Sequence, residues 1–585
     1  MKYPKLRVLD SSRQMVDTFK GYNHNLRISD GEFFDMKNMT SDSYPVLSPR
    51  KARGVYVSPA QPNGLIAKDS LCYVDGTDFV INEYRIDMGL SDEPKQLISM
   101  GAYVIILPDK KYINTANLSD HGSIEAEFTT TGTTSFTLCK MDGSTYALDY
   151  PPSAEEPKVP DGAEGHKNGA LWIDQSSEPH TLKQWSESAG MWVSIATTYV
   201  KIAHTGIGKN FERYDGIKLS GLEETGAASL NGSAVIWAKD DDYIVVVGVL
   251  DTIVDVETPF TVSRKMPNMD FVVECSNRLW GCRYGTSIDG QIVNEIYASK
   301  LGDFKNWNCS MSISTDSWFG SVGTDGQFTG AITHLGYPVF FKENVLHKVY
   351  ISGTGAHGIQ DTACRGVQKG CDKSLAIVNE TLFYKARSGI MAYDGSLPTE
   401  VSYALGNEAY SGAVGGSHGN KYYVSMKDKE DAYHLFVYDT GKGLWHREDN
   451  LRADCFCSCH GEMYAIDHDS KDIITMLGSG TPVESDLEWM VQTGEIGISS
   501  PDMKYISRLT VRLMLEPEAE AAFYVQYDWE EEWEHLFTLI GNNLRSFSIP
   551  IRPKRCDHMK LRIEGLGVAK IYSITKTIEQ GSELS

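Results

Sequence analysis

One pattern constrains this chain more than any other: a short strand, a turn bearing Asp, Gly or Asn, and a second strand rich in Tyr, Val and Ile, repeated from about residue 64. Leu71-Cys-Tyr-Val turns at Asp75-Gly76 and returns as Phe79-Val-Ile; Tyr103–Leu107 turns at Pro108-Asp109 and returns through Tyr112-Ile113. Further copies pair Arg278–Cys282 with Glu295–Ala298, Val339–Phe341 with Leu346–Tyr350, and Thr381–Tyr384 with Gly389–Gly395. Tyr422–Ser425 precedes His434–Asp439, and Glu462–Asp467 follows. Short strands at this spacing predict a β-propeller of six or seven blades, an architecture that leaves only short, protected strand edges. The 53 glycines and 30 tyrosines, against 21 prolines, suit many strands joined by tight turns. Long amphipathic helices are scarce, so the fold class is all-β.

At 585 residues the chain exceeds what one core supports, and the pattern divides it. Residues 1–55 read as an extended arm. Its apolar side chains Phe33, Phe34, Met36, Met39, Val46 and Leu47 follow no clean period, so the arm is expected to lay them into a neighbouring subunit. Residues 56–119 and 241–485 are assigned to the propeller. Between them, residues 120–240 break the spacing and read as an inserted small β-domain, with a polar loop from Pro151-Pro152 to Asn168 and hairpins at Ala170–Asp174, Leu182–Trp185 and Met191–Ile195. Residues 486–585 alternate over long stretches (Tyr505–Leu513, Phe523–Asp528, Phe547–Ile551, Met559–Ile563) and are expected to form a C-terminal β-sandwich.

The 55 lysines and arginines against 78 aspartates and glutamates give a formal charge of −23. A DNA-wrapping protein is disfavoured, because non-specific affinity for DNA comes from basic surfaces. No apolar run reaches the ~20 residues of a membrane span. Met1–Arg7 is basic but lacks an apolar segment behind it, so no secretory leader is expected. Eleven cysteines without framework spacing suit a reducing environment.

Candidate chemical motifs are weak. Gly206-Ile-Gly-Lys209 ends in Asn210 and lacks the first glycine of a phosphate loop. Cys455-Phe-Cys-Ser-Cys-His460 places three cysteines on one face of a strand, which suits a buried strand better than tetrahedral zinc. Asp467–Asp472 resembles the start of a calcium loop, but Lys471 stands at its fifth position. Asp528-Trp-Glu-Glu-Glu-Trp-Glu534 reads as an exposed acidic hairpin, and Ser314-Thr-Asp-Ser-Trp318 lacks the glycine of a sialidase box. No pair of carboxylates is committed to one site by spacing. No catalytic residue, metal or cofactor is therefore expected, and no enzymatic activity.

Asp30–Thr40 with Tyr44–Arg50, and then Asn277–Cys282, Asn294–Asn308 and Phe340–Tyr350, resemble the tail-nozzle or phage stabilisation proteins of short-tailed phages and related gut prophages. The resemblance implies a structural virion protein in the tail, assembled in the host cytoplasm as a ring, a homohexamer, that extends the DNA exit channel. Its implied partners are further copies of itself, head-to-tail adaptor proteins, fibres or spikes, and DNA that passes without tight binding. Acidic clusters Asp240–Asp242, Glu223-Glu224 and Glu530–Glu532 are candidates for the lumen of such a ring. The competing reading is a receptor-facing propeller of a phage tail or baseplate that binds or cleaves glycans.

Overall fold

The computed structural model describes residues 11–287, 290–484, 487–499 and 502–580. Regular helix among them is limited to three short 3₁₀ turns, and strands organise everything else. Seven antiparallel sheets form the blades of a propeller: residues 62–87, 96–123, 271–321, 330–363, 376–400, 411–447 and 453–475. First strands of neighbouring blades touch around the ring, and from the fourth blade to the fifth the contact runs from Gly330–His334 to the turn Asp372–Ser374. The seventh blade closes on the first, with Ala453–Cys459 against Pro62–Ala67.

The ring is shut by the N-terminal chain. Gly54–Val57 adds to Ile473–Thr475 as the fourth strand of the seventh blade, with Ile474 opposite Val55. Residues more than 400 positions apart thus share one sheet, which joins the two ends of the propeller without covalent closure.

Local chemistry repeats from blade to blade. The turn from first to second strand is two residues with positive φ at Ser276-Asn277, Leu335-Gly336, Asn379-Glu380 and His460-Gly461. Such turns carry the twist a two-residue hairpin needs. Second strands are covered by neighbouring blades on both faces. Lys421–Lys427 is consequently buried at five consecutive positions, Tyr422 to Met426, instead of alternating.

The insert starts after the second blade and holds two facing sheets. Thr134–Cys139, Tyr199–Ala203 and Tyr243–Val247 belong to one; Ala126–Thr129, Gly216–Ser220 and Thr261–Arg264 belong to the other. Phe136, Ile202 and Ile244 meet Leu219 and Val262 in a shared core. The assignment of residues from 241 to the propeller is corrected here. Tyr243–Val247 pairs with Tyr199–Ala203, and Thr261–Arg264 with Ala126–Thr129, so the insert runs through Arg264. The apolar run misled because a core strand of a small sandwich and a middle strand of a blade bury both faces alike. A separate three-stranded sheet, Leu171–Asp174, Thr181–Ser186 and Met191–Ser194, projects from the insert.

The C-terminal segment builds a nine-stranded sheet around the 24-residue strand Lys504–Tyr527. Met559–Leu566 and Ala569–Gln580 pair along it in succession, interrupted at Gly567, and register shifts at Leu513/Leu515 curl it. The described part of the arm belongs to this unit. Ser11–Val16 pairs with Ala569–Gln580, and Glu32–Lys37 pairs with Glu488–Thr493. Phe33, Met36, Met39 and Leu47 are buried in a core shared with Trp489 and blades four to six. The expectation that these side chains fill a neighbour's pockets is thus corrected: they fill those of their own chain. Their irregular spacing arises because short strands alternate here with turns. Residues 1–10 lie outside the described structure.

Candidate functional site

All seven first strands start at one end of the propeller channel, and the loops leading into them enclose a cavity of about 740 Å³. Every blade contributes to its wall, from Gln61–Leu65 in the first to Asp454–Phe456 in the seventh. This volume lies within the ~300–1,000 Å³ of small-ligand sites.

Ring closure gathers here charged residues that the sequence scatters. Asp270 and Phe271 enter from the third blade, Asp372 and Lys373 from the fifth, and Asp454, Phe456 and His468 from the seventh. His468 Nδ1 lies 2.9 and 3.0 Å from the two carboxylate oxygens of Asp454, while Lys373 Nζ donates to the Asp454 carbonyl at 3.0 Å. Among the described residues Asp372 makes no ion pair, and burial raises its pKa against the opposing charge of Lys373. Burial raises Asp270 in the same way, although the Tyr284 N–H donates to it at 2.8 Å. Lys95 is tied down differently. Its side chain is fully buried, with Nζ 2.6 Å from Asp109.

The mouth therefore offers two carboxyl groups whose pKa burial raises, a third carboxyl within hydrogen-bond distance of a histidine, and an exposed lysine. Two half-buried phenyl rings stand between them. Such a set donates to and accepts from hydroxyl groups and covers apolar C–H faces. Carboxyls whose environments separate their pKa values also supply the acid and base of proton transfer. Residue spacing could not reveal this, because Asp270, Asp372 and Asp454 are about 80 to 100 positions apart and meet only when seven blades close.

The motifs singled out in the sequence lie elsewhere or serve structure. Cys455, Cys457 and Cys459 point from the seventh blade toward Leu65, Leu71 and Tyr73 of the first. Among the described residues no cluster of three or more His, Cys, Asp or Glu side chains is arranged to hold a metal. Asp467–Asp472 is the turn into Ile473–Thr475, with Asp467 accepting from the Asp469 N–H and the Ser470 hydroxyl. In Gly206–Lys209 the Gly206 N–H already donates to Asp242 at 2.7 Å, which places a carboxylate where a phosphate would need to sit. Ser314 lends its carbonyl to Arg278. Asp528–Glu534 connects two long C-terminal strands and pairs with Lys554. The acidic clusters at 240–242 and 223–224 belong to the insert and that at 530–532 to this hairpin; none is among the residues that line the cavity.

No protein-family model and no curated protein matches the chain. Solved structures similar to it include an engineered GH43 glycoside hydrolase with endo-xylanase and exo-arabinofuranosidase activity, at 10% identity, 53% of this chain, 97% of that chain and a TM-score of 0.19. An exo-β-1,3-galactanase from Phanerochaete chrysosporium with galactose matches at 11% identity, 52% of this chain, 94% of that chain and a TM-score of 0.20. A sialidase from Trypanosoma rangeli with sialic acid matches at 11% identity, 98% of this chain, 96% of that chain and a TM-score of 0.16. Scores this low carry no argument about which reaction a site performs. The expectation of no enzymatic activity is nonetheless withdrawn. That expectation rested on the lack of carboxylates committed to one site, and here Asp270, Asp372 and Asp454 line one cavity.

Proposed function

We propose that this chain is a glycan-binding propeller protein whose ligand occupies the mouth of the seven-bladed channel. The observation that carries the reading is the cavity of about 740 Å³ in which Asp270, Asp372, Asp454, His468 and Lys373 converge beside Phe271 and Phe456. Sugar hydroxyls exchange hydrogen bonds with carboxylates and ammonium groups, and sugar C–H faces pack on aromatic rings. The two carboxyls raised by burial, lining the same cavity as Asp454, also equip the mouth for glycosidic bond cleavage. A glycan array with the full-length chain, followed by a reducing-sugar assay on the bound glycans, tests this. Saturable binding to a defined glycan supports it, and release of reducing ends extends it to hydrolysis. An array with no binder counts against it.

The resemblance to tail-nozzle proteins supports a second reading, in which the chain is one copy of a virion ring. A specific observation favours it. The strand Glu534–Ile549 ends the C-terminal sheet and, among the described residues, pairs only with Lys504–Tyr527. Such an edge can accept a strand from another copy, and head-to-tail contacts of that kind close into rings. Mass photometry at increasing concentration would show ring species if this holds and a monomer if it does not.

A further inference from the structure

The three-stranded sheet that projects from the insert carries an aromatic box unrelated to the propeller channel. Tyr150, Trp185 and Trp192 form its walls. Tyr150 meets Trp192 at 84° and Trp185 meets Trp192 at 69°, with ring centroids 5.6 Å apart in both pairs. The His166 ring occupies the middle, 4.7 Å from Trp185, 5.2 Å from Trp192 and 5.4 Å from Tyr150. Its Nδ1 lies 2.8 Å from the Tyr150 hydroxyl.

The way His166 arrives there is unusual. From Asp161 to Asn168 it is the only buried residue; the others are exposed. The loop is anchored at its end by Asn168 Oδ1, which accepts from the Glu187 N–H at 3.0 Å, and before that by the His166 ring alone as a buried side chain. The neighbouring Lys167 sits only loosely on Asp149, at 3.8 Å, with 81% of its side chain exposed. Trp192 also carries a buried indole N–H with no hydrogen-bond partner among the described residues.

Near-perpendicular walls do not sandwich a flat sugar ring. They do surround a compact cation, which gains from several ring faces within about 6 Å at once. A cation already lies over one ring of the cluster: Lys183 Nζ, paired with Asp174 at 2.7 Å, is 5.5 Å from the Trp172 ring, and Trp172 packs on Trp192. A net charge of −23 favours the approach of a cation.

The geometry points to a second ligand site: the Tyr150–Trp185–Trp192 box binds a small quaternary ammonium group of the choline type, and His166 occupies the box until the ligand displaces it. The choline hydroxyl offers an acceptor for the Trp192 N–H. Because His166 competes with the ligand, apparent affinity falls by the fraction of molecules in which the box is open.

Saturation-transfer NMR on the full-length chain, titrated with choline, tests the site. The neutral isostere 3,3-dimethylbutan-1-ol serves as the control. Choline is expected to bind saturably and the isostere at least ~10-fold more weakly, because only the cation gains from the ring faces. His166→Ala is expected to tighten choline binding roughly tenfold by removing the competitor. Trp185→Ala should abolish binding in wild type and in the His166→Ala background. Equal binding of choline and the isostere would overturn the proposal. So would the absence of saturable binding in both wild type and His166→Ala, which would leave the box as the core of a small module. Where near-ultraviolet circular dichroism shows that His166→Ala fails to fold, the wild-type titration decides alone, and no saturable choline binding overturns the proposal.

Discussion

Arg53 Nη1 lies 2.6 Å from Asp449 Oδ2, across 396 positions of sequence. Its Nη2 lies 2.8 Å from Glu448 Oε2, and only 6% of its side chain is exposed. Arg53 directly precedes the strand that closes the seventh blade, so this pair holds the N-terminal chain where ring closure requires it. Arg50 adds a two-pronged contact to Glu484 at 2.8 Å on each side.

Replacing Arg53 with Ala would leave Glu448 and Asp449 facing each other without their main cation. Truncating one partner of a buried pair costs about 3–5 kcal/mol, because the remaining charge is stranded. Urea denaturation should show a loss of this size. A loss under about 1 kcal/mol, the range of an exposed pair, would mean that closure does not depend on this contact.

His446 gives the propeller an acid-side weakness. It is 3% exposed, its Nδ1 has no hydrogen-bond partner among the described residues, and burial, the largest cause, lowers its pKa to about 3. In the unfolded chain it titrates near 6.5. A folded pKa below the unfolded one means that the contribution is complete above about pH 6.5 and declines as pH falls toward 3, because the unfolded state takes up a proton that the folded state refuses. One such group costs about 1.4 kcal/mol per pH unit across that window. His446→Phe should flatten the dependence of unfolding free energy on pH between 6 and 4 by about one proton. An unchanged slope would show that His446 is protonated in the native state.

The cysteines at the seam between the seventh and first blades should be unreactive. Burial is the largest cause raising Cys455, Cys457, Cys459 and Cys72, with Cys457 pushed up to about 12. A thiol reacts as its thiolate, which these groups scarcely populate at pH 8. Ellman's reagent should label them only after denaturation. Prompt labelling of Cys457 in the native chain, or stoichiometric zinc lost in Cys457→Ser, would contradict the packing described.

The blades were legible because their signals are local. Leu71–Asp75 and Asp78–Ile81, or Tyr103–Leu107 and Lys111–Asn114, are hairpins whose strands and turns lie within a dozen residues. The arm was not, because Phe33 and Met36 are positioned by pairing with Glu488–Thr493, over 450 positions away, and no local period records that partner. The insert's end was misplaced because Tyr243–Val247 has the same apolar signature whichever core it enters. The channel mouth was hidden for a related reason. Asp270, Asp372 and Asp454 each look like an isolated loop carboxylate until the first strands bring their loops together. His166 left no signal at all, since a lone histidine in a polar loop has nothing in its neighbours to mark it as buried.

The central claim is that ligand binds at the channel mouth, and it is tested most directly by calorimetric titration of the glycan selected on the array. Three proteins suffice: wild type, Asp372→Ala, and Glu531→Ala in the distant acidic hairpin as a control. Losing a hydrogen bond to a charged or buried carboxyl costs about 1.5–3 kcal/mol, or roughly ten- to a hundredfold in affinity. The account predicts that weakening for Asp372→Ala and no change for Glu531→Ala. Full affinity in Asp372→Ala, with the fold intact by circular dichroism, would place the ligand elsewhere and contradict it.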